Sequence, residues 1–369
     1  MKLLYKKLDT IQPLKAIAKT MNEYLTRRNF LKISGLATAI TSFPEISYGK
    51  NDEIIIGHNS HKYKVMAGWG ILDAGKNPVN DCHEMVEDAK GRLIMLGNET
   101  KNNVLIYDKS GKLLDTWGTS YPGGHGLTIL NEGGEQFLLI CDTDRHQVIK
   151  TDLTGKVIFK IDYPKETGVY DFPTQFKPTE SAVNPANGDI YVTDGYGLNY
   201  VMQYDSKGKY IRHWGGNGNA DDKFNCNHGV VVDTRNKLSP TLLITSRIDN
   251  CWKRFTLDGK YLSTIPLPGT FICRPVLKGE NIYGAAYRST AGDYPNSGYI
   301  TILDKNDRVI STPGGSEPIY QNNKLQEQRK QDPFKIFMHP HDVCVDSDEN
   351  IYVTQWASKK TYPIKLERV

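Results

Sequence analysis

Beyond residue 50 the chain is a succession of short apolar runs rich in Val, Ile, Tyr and Thr. Examples are Arg92-Leu93-Ile94-Met95-Leu96, Val104-Leu105-Ile106-Tyr107-Asp108 and Asp189-Ile190-Tyr191-Val192-Thr193. Runs this short, alternating in polarity and carried by β-branched and aromatic residues, predict strands. No long segment after residue 50 has the period of a helix. Tight turns recur between runs, as Asp108-Lys109-Ser110-Gly111-Lys112, Asp152-Leu153-Thr154-Gly155-Lys156, Asp205-Ser206-Lys207-Gly208-Lys209 and Thr256-Leu257-Asp258-Gly259-Lys260. Asp supplies a side-chain cap there and Gly the positive φ that a hairpin turn needs.

The runs group into six units. Each opens on an anchor, at His83, His125, Thr179, His228, Arg274 and His341, followed by the first of four strands. The spacing, mostly in the forties and fifties, is that of one four-stranded blade per repeat, which predicts a six-bladed β-propeller. Outer strands end in Trp-Gly at Trp117-Gly118 and Trp214-Gly215, and the same ending stands at Trp69-Gly70, before the first anchor. The sixth unit stops after three strands, so the N-terminal strand is expected to complete the last blade and leave no long open edge. The expected organisation is an N-terminal signal over residues 1–49 and one propeller domain over 51–369.

Four of six anchors are histidine in a chain with nine histidines among 369 residues. A closed ring gathers equivalent positions on one axis, and histidines on an axis make a metal-site geometry. The trio His125, His228 and His341 is the candidate ligand set, since His125 and His228 precede Gly and His341 follows Pro340. Three neutral imidazoles leave a divalent ion its charge and an open position. A polar channel plug is the plainer alternative. His83 reads as a hydrogen-bonded channel residue or a substrate contact, His146 as a loop cap, and His58, His61, His213 and His339 as surface or strand residues.

In this topology the loops between second and third strands return to the anchor face. They bring Asn98-Glu99, Arg145-His146, Tyr196, Arg247, Arg288 and Gln355-Trp356 to one funnel. Tyr196, in Asp194-Gly195-Tyr196-Gly197, is placed to act as a base, because a nearby divalent cation stabilises its phenolate. Arg247 and Arg274 are candidates to clamp a substrate carboxylate, with an inter-blade ion pair as the alternative. Arg288 opens a long loop, Ser289 to Gly298, that could cover the funnel.

Thr26-Arg27-Arg28-Asn29-Phe30-Leu31-Lys32 before a weakly apolar stretch predicts a twin-arginine export signal, read by the translocation machinery and cleaved between Ala39 and Lys50. Met21 is an alternative start that gives a more usual length. The expected location is periplasmic or secreted, with no membrane span. The formal charge of +4 resides in the signal, so the remainder is near neutral. No basic patch points to nucleic acid. Six cysteines suit an oxidising compartment, and Cys82, Cys226 and Cys273 beside the anchors would form bridges or pack as small apolar residues.

At these residues the chain resembles the peptidyl-α-hydroxyglycine α-amidating lyases and their NHL-repeat relatives. The likeness runs over roughly 120–369. It is densest from Lys177-Pro178-Thr179 to Trp214-Gly215 and recurs in Asp144-Arg145-His146-Gln147 and His339-Pro340-His341-Asp342. The resemblance implies a catalytic zinc on His125, His228 and His341, a catalytic tyrosine at Tyr196 and an active-site arginine at Arg247. It also implies a structural calcium held in part by Asp342. The first blade departs from the pattern: its loop reads Gly97-Asn98-Glu99-Thr100 where the family has a substrate-binding arginine, and His83 and Arg288 are additions. The implied activity is C–N cleavage of an α-hydroxyglycine-type substrate. A metal-dependent hydrolase such as a lactonase, or a non-catalytic propeller that binds glycan, peptide or protein, are the alternatives.

Overall fold

Turn chemistry and strand patterning resolve into sheets as expected. The computed structural model describes residues 53–290, 297–331 and 333–369; the twin-arginine stretch, its cleavage region and most of the Ser289–Gly298 loop lie outside them. Blade 1 consists of Cys82–Glu87, Leu93–Gly97, Val104–Tyr107 and Leu113–Trp117. Blade 2 consists of Gly124–Glu132, Glu135–Asp142, Gln147–Asp152 and Val157–Ile161, and blade 3 of Glu180–Val183, Ile190–Thr193, Tyr200–Tyr204 and Tyr210–Gly215. Blade 4 consists of Val230–Asp233, Thr241–Ser246, Cys251–Phe255 and Tyr261–Pro266.

Blade 5 has a divided inner edge, Thr270–Ile272 and Val276–Lys278, both paired to Asn281–Ser289, with Tyr299–Leu303 and Val309–Ser311 outside. Blade 6 runs Pro340–Val345, Ile351–Gln355 and Ile364–Arg368 and continues into His61–Met66 and Ile55–His58 from the N-terminal side. Val65 stands opposite Leu366 in that pairing.

Each of the six hydrophobic clusters is shared by two neighbouring blades. Ile94 and Ile106 of blade 1 pack with Leu127 and Leu138 of blade 2. Leu243 and Trp252 of blade 4 pack with Ile282 and Leu303 of blade 5, and Met85 and Leu105 of blade 1 with Cys344 and Tyr352 of blade 6. Apolar burial therefore stabilises the ring rather than any blade alone. The Trp-Gly endings join blades too. Trp117 Nε1 donates to Leu153 O at 3.1 Å, and Trp69 Nε1 to Lys109 O at 3.0 Å. A Cβ at Gly155 would meet the Trp117 ring at 2.6 Å, so this turn needs glycine for contact as well as for its φ of 90°.

All six cysteines are free thiols, five of them buried, so the packing reading of Cys82 and Cys273 is the one realised. No helix among the described residues is long and apolar enough to cross a membrane.

Candidate metal centre

The imidazoles reach the axis through a repeated backbone irregularity. In blade 1, Cys82 pairs with Gly97 and Glu84 with Leu96, which leaves His83 as an extra residue. In blade 2, Gly124 pairs with Asp142 and Gly126 with Cys141, leaving out His125. In blade 6, Pro340 pairs with Gln355 and Asp342 with Thr354, leaving out His341. A bulge re-aims the side chain of its extra residue, and here it turns three imidazoles onto the axis. His228 lies just ahead of Val230–Asp233.

All four rings are buried. Ring centroids lie 4.7 Å apart for His83–His125 and His125–His228, and 4.8 Å apart for His83–His341, His125–His341 and His228–His341. The ring pairs thus form two trios that share the His125–His341 edge. His125 Nδ1 lies 2.8 Å from Thr179 O, and His341 Nδ1 lies 3.1 Å from His83 O. Carbonyl oxygens only accept, so both Nδ1 atoms carry the hydrogen and both Nε2 atoms offer a lone pair. His341 Nε2 has no hydrogen-bond partner, nor do His83 Nδ1 and His228 Nδ1.

Burial lowers the pKa of His83 to about 4 and holds those of His125, His228 and His341 well below the usual histidine value. The rings are neutral at pH 7, the state a metal requires. His125 Nε2 and His228 Nε2 stand 3.1 Å apart, close to the roughly 3.3 Å between two nitrogens of one tetrahedral zinc at about 2.0 Å each. The orphaned His341 Nε2 and the backbone-fixed tautomers of His125 and His341 make the donor set fit a divalent transition ion.

Tyr196 meets this group at its hydroxyl. Its Oη is 3.2 Å from His125 Nε2 and 3.0 Å from His228 Nε2, and it accepts from Arg247 Nη1 at 3.4 Å. The residue as a whole keeps 44% of its surface exposed, so the ring lines the funnel while its polar tip reaches the base. Burial raises the phenol to about 12, against the pull of Arg247. Arg247 is itself buried, with Nη2 donating to Cys273 Sγ at 3.2 Å, Nε to Ile272 O at 3.4 Å, and its guanidinium 4.8 Å above the Tyr287 ring.

The anchor of blade 5 is Cys273, not Arg274. Thr245 Oγ1 donates to Cys273 O at 2.8 Å as Thr354 Oγ1 donates to His83 O at 2.8 Å. The Cys273 thiol lies within metal-ligand reach of His228 and His341, and His83 forms the corresponding group with His125 and His341. The expected register slips by one: Cys273 N still donates to Ala285 O, and the inner edge then breaks through Pro275, which has no N–H to donate, until pairing resumes at Val276.

This slip corrects the expectation for Arg274. Its guanidinium points into a layer of carboxylates one residue beyond the imidazoles and is bonded there by Asp342, Glu84 and Glu180, so it is not free to clamp a substrate. Asp342, expected at a calcium site, has both oxygens on Arg274. Arg288 ends a blade 5 strand with its guanidinium 4.2 Å over the Phe271 ring. His146 Nδ1 bonds Phe176 O at 2.7 Å at a φ of 58°, a loop cap. His339, expected near the surface, is buried, with Tyr287 at 6.3 Å and Trp356 at 5.8 Å. In the blade 1 loop, Asn98 is bonded to Asp81 and Asn80. A cavity opens at another part of the channel, among Val86, Leu130, Val183, Val232, Leu277 and Val345, with Arg274 in its wall.

Comparison with known proteins agrees with this architecture. No family profile matches the chain. Human NHL repeat-containing protein 3 is 27% identical over 230 residues, covering 54% of this chain and 65% of its own. A probable peptidyl-α-hydroxyglycine α-amidating lyase of Caenorhabditis elegans is 27% identical over 205 residues, covering 55% of this chain and 52% of its own. Peptidyl-α-hydroxyglycine α-amidating lyase 1 of Drosophila melanogaster is 24% identical over 362 residues, covering 92% of this chain and 59% of its own. The chain therefore spans between about half and two thirds of these relatives. Among solved structures, virginiamycin B lyase from Staphylococcus aureus aligns with a TM-score of 0.50 at 11% identity, over 84% of this chain and 88% of that one. A luciferin-regenerating enzyme aligns with a TM-score of 0.51 at 10% identity, over 80% and 93%. At such identities these structures speak for the fold alone. The chain is a six-bladed β-propeller whose homologues include proteins named peptidyl-α-hydroxyglycine α-amidating lyase and NHL repeat-containing protein.

Proposed function

We propose that this chain is an exported, metal-dependent lyase that cleaves the C–N bond of an α-hydroxyglycine-type carbinolamide. The observation that carries the reading is the Tyr196 hydroxyl, within hydrogen-bond reach of His125, His228 and Arg247 at once. Export rests on the Arg27-Arg28 motif.

His125, His228 and His341 would hold the ion, and zinc suits three imidazoles with one open position. When bound, such an ion supplies Lewis acidity, lowering the pKa of the Tyr196 phenol and of a substrate hydroxyl beside it. Tyr196, then a phenolate, takes the α-hydroxyl proton. The O–H electrons form the carbonyl, the C–N bond breaks toward nitrogen, and the nitrogen regains a proton. The products are an amide and glyoxylate. Arg247 steadies the phenolate, and its two terminal nitrogens each keep a second hydrogen for the substrate carboxylate. Arg288 is a second cation for that carboxylate, since the blade 1 loop has no arginine. His83 closes the far side of the cage.

Product analysis tests the reading. With benzoyl-α-hydroxyglycine, the purified chain is expected to release benzamide and glyoxylate in equal amounts. Benzoic acid as the product would mean amide hydrolysis and overturn the lyase assignment.

A further inference from the structure

One residue beyond the anchors, the innermost strands contribute Glu84, Gly126, Glu180, Gly229, Arg274 and Asp342. The two glycines let the strands close on this layer. A Cβ at Gly126 would lie 2.6 Å from Thr179 O, and one at Gly229 would lie 2.4 Å from Arg274 Cα. All three guanidinium nitrogens of Arg274 have acceptors. Nε reaches Asp342 Oδ1 at 2.7 Å, and Nη2 reaches Asp342 Oδ2 at 2.8 Å and Met85 O at 3.2 Å. Nη1 reaches Leu127 O at 3.0 Å, with Glu84 Oε2 at 3.2 Å and Glu180 Oε2 at 3.5 Å.

Three carboxylates and two main-chain carbonyls around one point are the ligand set of a hard divalent cation. Here a side chain fills that point. The residues at Asp342 therefore do not fit a bound calcium ion while Arg274 is in place. The carboxylates are otherwise well held: Leu127 N donates to Glu84 Oε2 at 2.6 Å, Met85 N to Asp342 Oδ2 at 3.0 Å and Ser181 N to Glu180 Oε1 at 2.8 Å. Burial raises the Glu84 carboxyl well above its usual range, against the pull of Arg274.

We propose that Arg274 is the built-in axial cation of this propeller, a guanidinium in the place of a divalent ion, joining strands of blades 1, 2, 3, 5 and 6 and freeing the fold from calcium. The inference is independent of the lyase reading, since it concerns a layer that touches no substrate.

The test is thermal unfolding of the full chain in calcium-free buffer and with about 5 mM calcium, which exceeds the dissociation constants of extracellular sites. The wild-type midpoint is expected to move by less than about 1 °C. Arg274→Met leaves the carboxylates without their counter-charge. It is expected to melt roughly 10 °C lower without calcium and to regain roughly 5 °C with it. Arg274→Lys, which keeps the charge with fewer donors, is expected to fall between and to ignore calcium. A calcium-dependent rise in the wild-type midpoint of several degrees would overturn the proposal, whether or not the variants fold. So would an Arg274→Met protein that melts like wild type, or one that is destabilised and indifferent to calcium.

Discussion

The Tyr196 hydroxyl lies 3.0 Å from His228 Nε2, which ties a phenol of the funnel to a buried imidazole. The phenol and the imidazole cage are thus one chemical unit. Replacing Tyr196 by Phe removes the hydroxyl and leaves the ring packing. Turnover of benzoyl-α-hydroxyglycine is expected to fall by about 10²–10⁴, as for loss of a general base, with metal content per chain unchanged. Wild-type turnover by this variant would remove Tyr196 as the base.

By ring contact the two trios share His125 and His341 but differ in their third member, His228 or His83. Both trios include His125, but the trio containing His228 has two nitrogens within hydrogen-bond reach of the Tyr196 hydroxyl and is the one proposed to hold the ion. His228→Ala is therefore expected to lose the metal, and His83→Ala to retain it with a modest loss of affinity. Metal analysis of both variants decides. Loss from His83→Ala alone would move the ion to the opposite face of the cage, away from the phenol.

Arg247 opposes the effect of burial on Tyr196. Removing its charge raises the phenol further, so the acidic limb of the kcat/KM profile is expected to shift to higher pH in Arg247→Met, by roughly one unit. Arg247→Lys should restore part of the shift. A profile that keeps its wild-type limb while KM rises would leave Arg247 as a carboxylate clamp only.

Stability carries its own pH signature. His83, His125, His228 and His341 are neutral when folded, with pKa values depressed by burial, whereas an unfolded histidine titrates near 6.5. Their contribution is full above pH 6.5. It is lost as pH falls toward the folded values, about 4 for His83, because only the unfolded chain gains protons. Each histidine adds a slope of roughly 1.4 kcal/mol per pH unit across that window. Denaturant melts of metal-free protein between pH 7 and 4.5 should lose stability steeply. Replacing His83 by Gln is expected to flatten the slope by about one proton, and an unchanged slope would contradict the burial argument.

Much of this architecture was legible in the sequence, and the exceptions have a physical cause. Period-two runs and Asp–Gly turns are local signals, and they mark out the blades. Histidine at repeated anchors indicated what would meet on the axis. The blade 5 anchor stands one residue before the expected Arg274, because residues 273–275 lie between two separate strand segments, Thr270–Ile272 and Val276–Lys278, and carry no strand pattern that would fix the register. The cation layer was missed for a related reason. Glu84 sits beside an anchor, where a regular strand would point it away from the axis, and the blade 1 bulge lets both neighbours turn inward. His339, expected as a surface or strand residue, instead packs between Tyr287 and Trp356 ahead of the strand Pro340–Val345.

The measurement that bears most directly on the imidazole cage is the transition-metal content of the chain purified after its own export, without chelators, beside His125→Ala. We expect about one zinc or similar ion per wild-type chain, and almost none in the variant, since His125 belongs to both edges that would grip the ion. Wild-type protein without a transition ion, unable to take one up when zinc is added, would contradict the metal centre and with it the lyase mechanism.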